Sequence, residues 1–225
     1  MSSFVIGITG GSGVGKTTLI QKIYQEFPNQ VSTFSLDNYY LPKTSQVVDA
    51  NGEINFDLPS ALNTADMQRD FNMLLLGKTV THKQYGFNHP EAEMGNITIE
   101  PRKILVVEGI FVMHYPFFRK RLDFSVFIVV DEATQLARRL KRDVVERNYT
   151  NKQVIYQWEY HVKPAYMEFV LPYKGKADMV INNDAGFGEN ISALLKVIHK
   201  NVDEGVESGK LGRGSMDTGS GTAIK

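Results

Sequence analysis

The stretch GITGGSGVGKTT, residues 7–18, lies directly behind the apolar run FVI at residues 4–6. Gly10, Gly15, Lys16 and Thr17 stand at the spacing G-x-x-x-x-G-K-[ST], the pattern of a loop that grips phosphate. The chemistry asks for those residue types. Glycines let successive backbone N–H groups curl inward around an anion with no Cβ in the way. A helix opening near Lys16 adds free N–H groups and the positive end of its dipole. Lys16 then reaches the outer phosphates, and the Thr17 hydroxyl is placed to ligate Mg²⁺. A chance glycine-rich turn would share the composition but not the strand before it and the helix after it. Gly11, Ser12, Gly13, Val14, Gly15, Lys16, Thr17 and Thr18 are therefore the expected nucleotide contacts.

Outward from this loop, strand-like runs recur: 4–9, VSTFS at 31–35, KILVVE at 103–108, FSVFIVVD at 124–131 and ADMVIN at 177–182. Several are nearly continuous apolar runs, as in strands covered on both faces. Helical patterns fall between them at 17–27, 60–76, 132–147 and 151–170. The alternation predicts an α/β fold with a mostly parallel five-stranded sheet, flanked by helices on both faces. Residues 78–100 interrupt it and read as a β-hairpin flap around the loop NHPEAEMG. Residues 203–225, rich in Gly and Ser, read as a disordered tail behind a single domain over 1–202.

The chain has 225 residues, no cysteine, and equal numbers of basic and acidic side chains, 25 each. That balance argues against a nucleic-acid surface, and the missing cysteines exclude disulfides and thiolate chemistry. No apolar run is long enough for a membrane span, and MSSFVIGITG lacks a basic leader region. A cytoplasmic location is the expectation.

A phosphate grip that transfers its phosphate needs a metal partner and a group to orient the acceptor. Both belong at the carboxyl ends of parallel strands. Glu108 ends ILVVE before Gly109, where it would hold Mg²⁺ or cap a turn. Asp37, in SLDNYY, stands where a base would take the proton of an attacking hydroxyl. Asp-Asn is equally ordinary turn chemistry. The stretch LARRLKRDVVER at 136–147 sets Arg139 and Arg142 on one helical face. Alone it reads as a salt-laced surface helix; over a nucleotide it reads as an arginine lid, within a lid region spanning 136–160.

Taken together, GGSGVGKT, LDNYY, INFDLPSAL, YGFNH, VVEGIF, RRLKRDVVER and VKPAYMEFVLPYKGKADMVI resemble, in order, the blocks of the uridine kinase branch of the uridine kinase/phosphoribulokinase P-loop kinases. The likeness covers about residues 4–184. It implies a P-loop fold with a flap and a helical lid. It also implies ATP or GTP as donor, Mg²⁺, a small nucleoside acceptor in pyrimidine salvage, and a homotetramer. Carried over by position, Asp37 would be the general base, with Lys16 and Arg142 at the triphosphate and Thr17 and Glu108 on the metal. Asp57 would bind ribose hydroxyls. Tyr85, Phe87 and His89 would meet the base or sugar from the flap, and Arg139, Arg147 and Gln157 would fall near the acceptor.

Two segments depart from the family pattern. The flap has Gly86 where the family usually has Asp, and Phe87 and His89 stand one residue closer than usual. The lid reads ERNYT in place of E-R-G-R, so one arginine is missing. These changes leave other acceptors open, such as a phosphorylated sugar or a pantothenate-like alcohol. A nucleotide switch without any acceptor is the reading from a different class; no guanine-reading N-K-x-D motif accompanies the loop.

Overall fold

The structure, a computed structural model, describes residues 3–86 and 94–208. Along the chain come β1 (Phe4–Gly10), α1 (Lys16–Glu26), β2 (Val31–Ser35), the short strands β3 (Val47–Val48) and β4 (Ile54–Asn55), and α2 (Thr64–Leu75). There follow β5 (Val80–Lys83), β6 (Asn96–Ile99), β7 (Ile104–Glu108), α3 (Pro116–Arg119) and β8 (Phe124–Val129). The chain continues through α4 (Glu132–Glu146), α5 (Asn151–Gln157), α6 (Lys163–Ala165), β9 (Met179–Asn182) and α7 (Gly188–Ser208).

Five strands form one wholly parallel sheet in the order β2-β7-β1-β8-β9. The chain starts at the central strand, fills one side, then crosses to the other. That reversal opens a crevice at the carboxyl ends of the strands beside β1. In this register Ile8 of β1 and Ser35 of β2 flank Glu108 at the end of β7. The loop after β1, the turn after β2 and Glu108 thus meet at one place.

Successive residues of a strand point to opposite faces, and here both faces are apolar. Leu105 and Val107 join a core with Phe34, Phe71, Phe111 and Phe118. Ile104 and Val106 join the other, with Ile6, Ile8, Leu19, Ile23, Leu194 and Ile198 of β1, α1 and α7. β5 and β6 form the antiparallel hairpin expected in 78–100. Among the described residues no helix is long and apolar enough to cross a membrane.

Several boundaries move for local reasons. α2 starts at Thr64, because the Asn63 side chain accepts the Asp66 N–H and caps it there. β8 stops at Val129, and Asp131 instead caps α4 through the Thr134 N–H. The helix expected over 151–170 is broken into α5, a π-helical turn at Trp158–Val162, α6, and a second π-helical turn at Tyr166–Val170. Pro164 cannot donate within a helix, and wider turns accommodate that loss. Residues 203–208, expected in the tail, are helical instead, since α7 runs to Ser208; residues 209–225 lie outside the described residues. α7 was not expected, although Ile191, Leu194, Leu195, Ile198 and Val202 repeat at helical spacing along the core it covers.

Phe34 is wholly buried against the rings of Tyr39, Phe71 and Phe118. Phe34→Ala is expected to cost about 3–5 kcal/mol of stability, read as a lower urea midpoint at unchanged slope.

Candidate active site

The loop between β1 and α1 holds a shape only glycine tolerates. Gly13 and Gly15 have φ of 77° and 99°, the left-handed region that side chains avoid. A Cβ on Gly15 would stand 2.5 Å from Asn183 Nδ2, and one on Gly13 2.9 Å from the Gln135 carbonyl oxygen. Asn183, just past β9, donates from Nδ2 to the Val14 carbonyl at 2.8 Å. Arg138 of α4 donates to the carbonyls of Gly13 at 3.4 Å and Asn183 at 3.2 Å. The loop is therefore braced from outside, by the opposite side of the sheet. Gly15 caps α1 without any side-chain hydrogen bond, so the amides of its first turn remain for an anion.

Lys16 donates to the carbonyls of Gly10 at 3.3 Å and Gly11 at 3.2 Å. Burial lowers its pKa, opposed by Glu108 and Asp37. Across from it, Ser35 ends β2. Its Oγ accepts the Asp37 N–H at 3.3 Å and donates to Glu108 Oε1. One hydroxyl thus ties both carboxylates to the strand ends. Burial first, then repulsion from Asp37, raises Glu108 to about 7, against the pull of Lys16.

α4 supplies the opposite wall. Asp143 is wholly buried and pairs with Arg142 at 2.7 Å, Arg139 at 3.2 Å and Arg147 at 3.5 Å. Arg139 and Arg142 each reach Ser12 Oγ, at 3.1 and 3.3 Å. Arg139 also donates to Gln157 Oε1 at 3.2 Å and lies 4.0 Å from Asp57. Burial raises the Asp57 pKa, and Arg139 opposes it.

These groups share one cleft of about 610 Å³, including its mouth. Its lining contains Ser12, Lys16, Asp37, Asp57, Arg139, Arg142, Arg147 and Gln157. Glu108, bonded by Ser35, is not itself among the lining residues but feels the charges of Asp37 and Lys16, which are. Thr17 and Thr18 are exposed in the first turn of α1 and are not among the lining residues. Tyr85 packs against Tyr40 of the cleft, ring centres 5.2 Å apart. Phe87 and His89 lie outside the described residues. A second, mostly apolar cavity adjoins through Ser12, Asp57 and Ile110 and runs back beneath Trp158, Tyr166 and Val170.

Sequence reasoning missed Asn183, Arg138, the anchoring role of Asp143, and the cleft residues Ile54, Phe56, Ile110 and Tyr149. Asp143 did have a signal: it stands four residues from both Arg139 and Arg147. Asn183 had none, being a single amide after a strand.

Among the described residues no group of three or more His, Asp or Glu side chains forms a ready-made metal cage. The donors at hand are two carboxylates and hydroxyls, one carboxylate, Glu108, raised by burial and by its acidic neighbour Asp37. That set suits Mg²⁺, which is held by few protein oxygens and completed by phosphates and water.

Residues 5–185 match the profile described as the Phosphoribulokinase / Uridine kinase family. The chain is 33% identical over 177 residues to a uridine kinase of Alkaliphilus metalliredigens, covering 78% of this chain and 85% of that one. It is 29% identical over 220 residues to uridine-cytidine kinase B of Dictyostelium discoideum, covering 97% and 90%. Its fold is similar to that of phosphoribulokinase from Rhodobacter spheroides, with a TM-score of 0.61 at 14% identity, covering 80% of this chain and 70% of that one.

Glu108 gives the site a pH signature. Its value near 7 lies above the ordinary 4.5, so the folded chain holds this proton more tightly than the unfolded chain. Ionising it costs stability, a cost that starts as pH rises past 4.5 and is complete above about 7. Glu108→Gln is expected to stabilise the metal-free protein at pH 8 by roughly 2–3 kcal/mol and to change little at pH 4.5. Urea titrations at the two pH values check this.

Proposed function

The chain belongs to the Phosphoribulokinase / Uridine kinase family, and from that premise we propose that it transfers the γ-phosphoryl of ATP or GTP to the 5′-hydroxyl of uridine or cytidine. One observation carries this reading. A single cleft brings Lys16 of the phosphate loop together with Asp37, Asp57 and the arginines of α4. A switch protein needs the loop, but not an enclosed second half furnished with a carboxylate base and a sugar-sized polar wall.

In the proposed reaction Asp37 accepts the proton of the 5′-hydroxyl as its oxygen bonds to the γ-phosphorus. The bond from that phosphorus to the β–γ bridging oxygen breaks, and the nucleoside diphosphate leaves with the electron pair. Lys16 and the loop amides hold the outer phosphates; Lys16 exchanges its contacts with Gly10 and Gly11 for them. Arg142 and Arg139, already at Ser12, face the charge of the phosphoryl group in transit. Asp57 takes the ribose hydroxyls, and Gln157 and Arg147 border the acceptor. Glu108 and Thr17 would hold Mg²⁺, which would supply positive charge against the phosphates when bound. Tyr85, packed on Tyr40, would close the nucleobase side.

A second acceptor class is favoured by one feature. Tyr149 lines the cleft where the family usually carries an arginine, so the acceptor meets a neutral hydroxyl there. A panel of nucleosides, sugar phosphates and pantothenate-like alcohols with labelled ATP separates the two readings.

Asp37→Asn should lower kcat about 10²–10⁴-fold while leaving ATP affinity within twofold. Transfer at the parent rate would remove Asp37 as base. Slow ATP hydrolysis with no phosphorylated acceptor would favour the switch.

A further inference from the structure

One wall of the cleft is built on an element that cannot stand alone. Ile54 lies in β4 of the β3–β4 hairpin, two residues in each strand, and Phe56 and Asp57 follow directly behind it. Val47 and Val48 are exposed, so this ladder has little core beneath it, and an isolated two-stranded hairpin is marginal in water. The hairpin is held by Asp49. Its Oδ1 accepts the N–H groups of Asn51 at 2.8 Å and Glu53 at 2.9 Å, which shapes the turn. Its Oδ2 accepts the Tyr156 hydroxyl at 2.7 Å and His161 Nε2 at 2.8 Å. Asn51 Nδ2 adds a bond to the same hydroxyl at 2.6 Å.

Tyr156 and His161 lie in α5 and the π-helical turn after it, and His161 is almost wholly buried. The next residue, Gln157, lines the cleft and accepts from Arg139. On the hairpin side the order passes from β4 to the sugar carboxylate, because Asn55 Oδ1 accepts the Asp57 N–H at 2.9 Å. A carboxylate that takes four donors, two from each wall, sets the distance between those walls. The Tyr156 hydroxyl and His161 ring also hold the Asp49 carboxyl well below the usual carboxylate range, so it stays charged and accepting.

We propose that Asp49, gripped by Tyr156 and His161, is a positioning residue that fixes the Ile54–Asp57 wall against the Arg139–Gln157 wall, and so sets affinity for the acceptor and not for the nucleotide. This rests on the kinase reading above. None of the three residues lines the phosphate loop or the cleft itself, so the nucleotide half should not sense their loss.

The test uses the full chain carrying Tyr156→Phe with His161→Phe, which removes both donors but keeps an aromatic ring at each position. Asp49→Ala is made beside it, and Asp49→Glu as the conservative rescue. Two readouts are taken. Steady-state kinetics should give an acceptor KM raised about tenfold, with ATP KM within twofold. Hydrogen exchange should show the amides of residues 47–57 exchanging faster, those of the phosphate loop unchanged, and partial recovery in Asp49→Glu. An unchanged acceptor KM, or equal rises in both KM values, would overturn the proposal, as would unaltered exchange at 47–57. If the parent phosphorylates no acceptor, the kinase reading fails, and the exchange data still decide whether Asp49 ties the walls.

Discussion

Asp143 is the contact on which the cleft depends. Three guanidinium groups converge on one wholly buried carboxylate. Without that anchor, Arg139 and Arg147 would be free to swing onto Asp57 and Asp37, whose charges they already feel. Direct pairing of that kind would close the cleft. A buried carboxylate under several cations is costly to remove, because it leaves charges in low dielectric with no counterpart. The anchor therefore keeps the basic wall standing opposite the acidic one with a gap between them. The gap has the charge pattern for a polyanion beside a polar alcohol.

The two walls are supplied by different parts of the fold. Strand ends of the sheet carry the acidic side, in a register that sets Ser35 beside Glu108. α4 carries the basic side and reaches the phosphate loop through its arginines: Arg138 at Gly13, Arg139 and Arg142 at Ser12. The sheet ends fix Asp37 and Glu108 through Ser35, while the helix α4 positions the arginines through Asp143. The raised Glu108 and Asp57 and the lowered Lys16 and Arg147 follow from the same arrangement, since each is desolvated in a cleft built around charges it does not itself contain. Groups shifted in this way mark a site awaiting a partner more often than a structural ion pair.

The sheet and the phosphate loop were legible in the sequence because short-range rules govern them. A strand buried on both faces reads as an apolar run, and a glycine forced to positive φ leaves a spaced motif. Asp37 and Glu108 were found because they sit at strand ends, where chain order predicts spatial neighbours. Asp57 and Gln157 were reached only through family likeness; nothing local marks a loop aspartate as half of a cleft. The break at Pro164 was visible as a residue but not as a pair of π-helical turns, since tertiary packing decides how a helix absorbs a missing donor. Asp49, Asn183 and His161 were invisible, because their partners lie more than a hundred residues away in sequence for Asp49 and Asn183 alike. Long-range hydrogen bonds leave no period and no spacing.

The departure at the lid is best understood through its backbone. Asn148 adopts φ 55°, the left-handed conformation that Gly takes freely and Asn tolerates better than other side chains. The turn at the end of α4 is therefore kept where the family usually has glycine, and the Tyr149 N–H still returns to the Asp143 carbonyl at 3.1 Å. What changes is the side chain delivered by that turn. Tyr149 enters the cleft half-buried, its pKa raised chiefly by burial and partly offset by hydrogen bonding from Gln157. A cation at this point would add to the basic wall; a neutral phenol adds a hydrogen-bonding edge instead. The guanidinium groups at Ser12 are the two held by Asp143, Arg139 and Arg142, so the basic wall of the cleft keeps its charge without a further arginine at this turn.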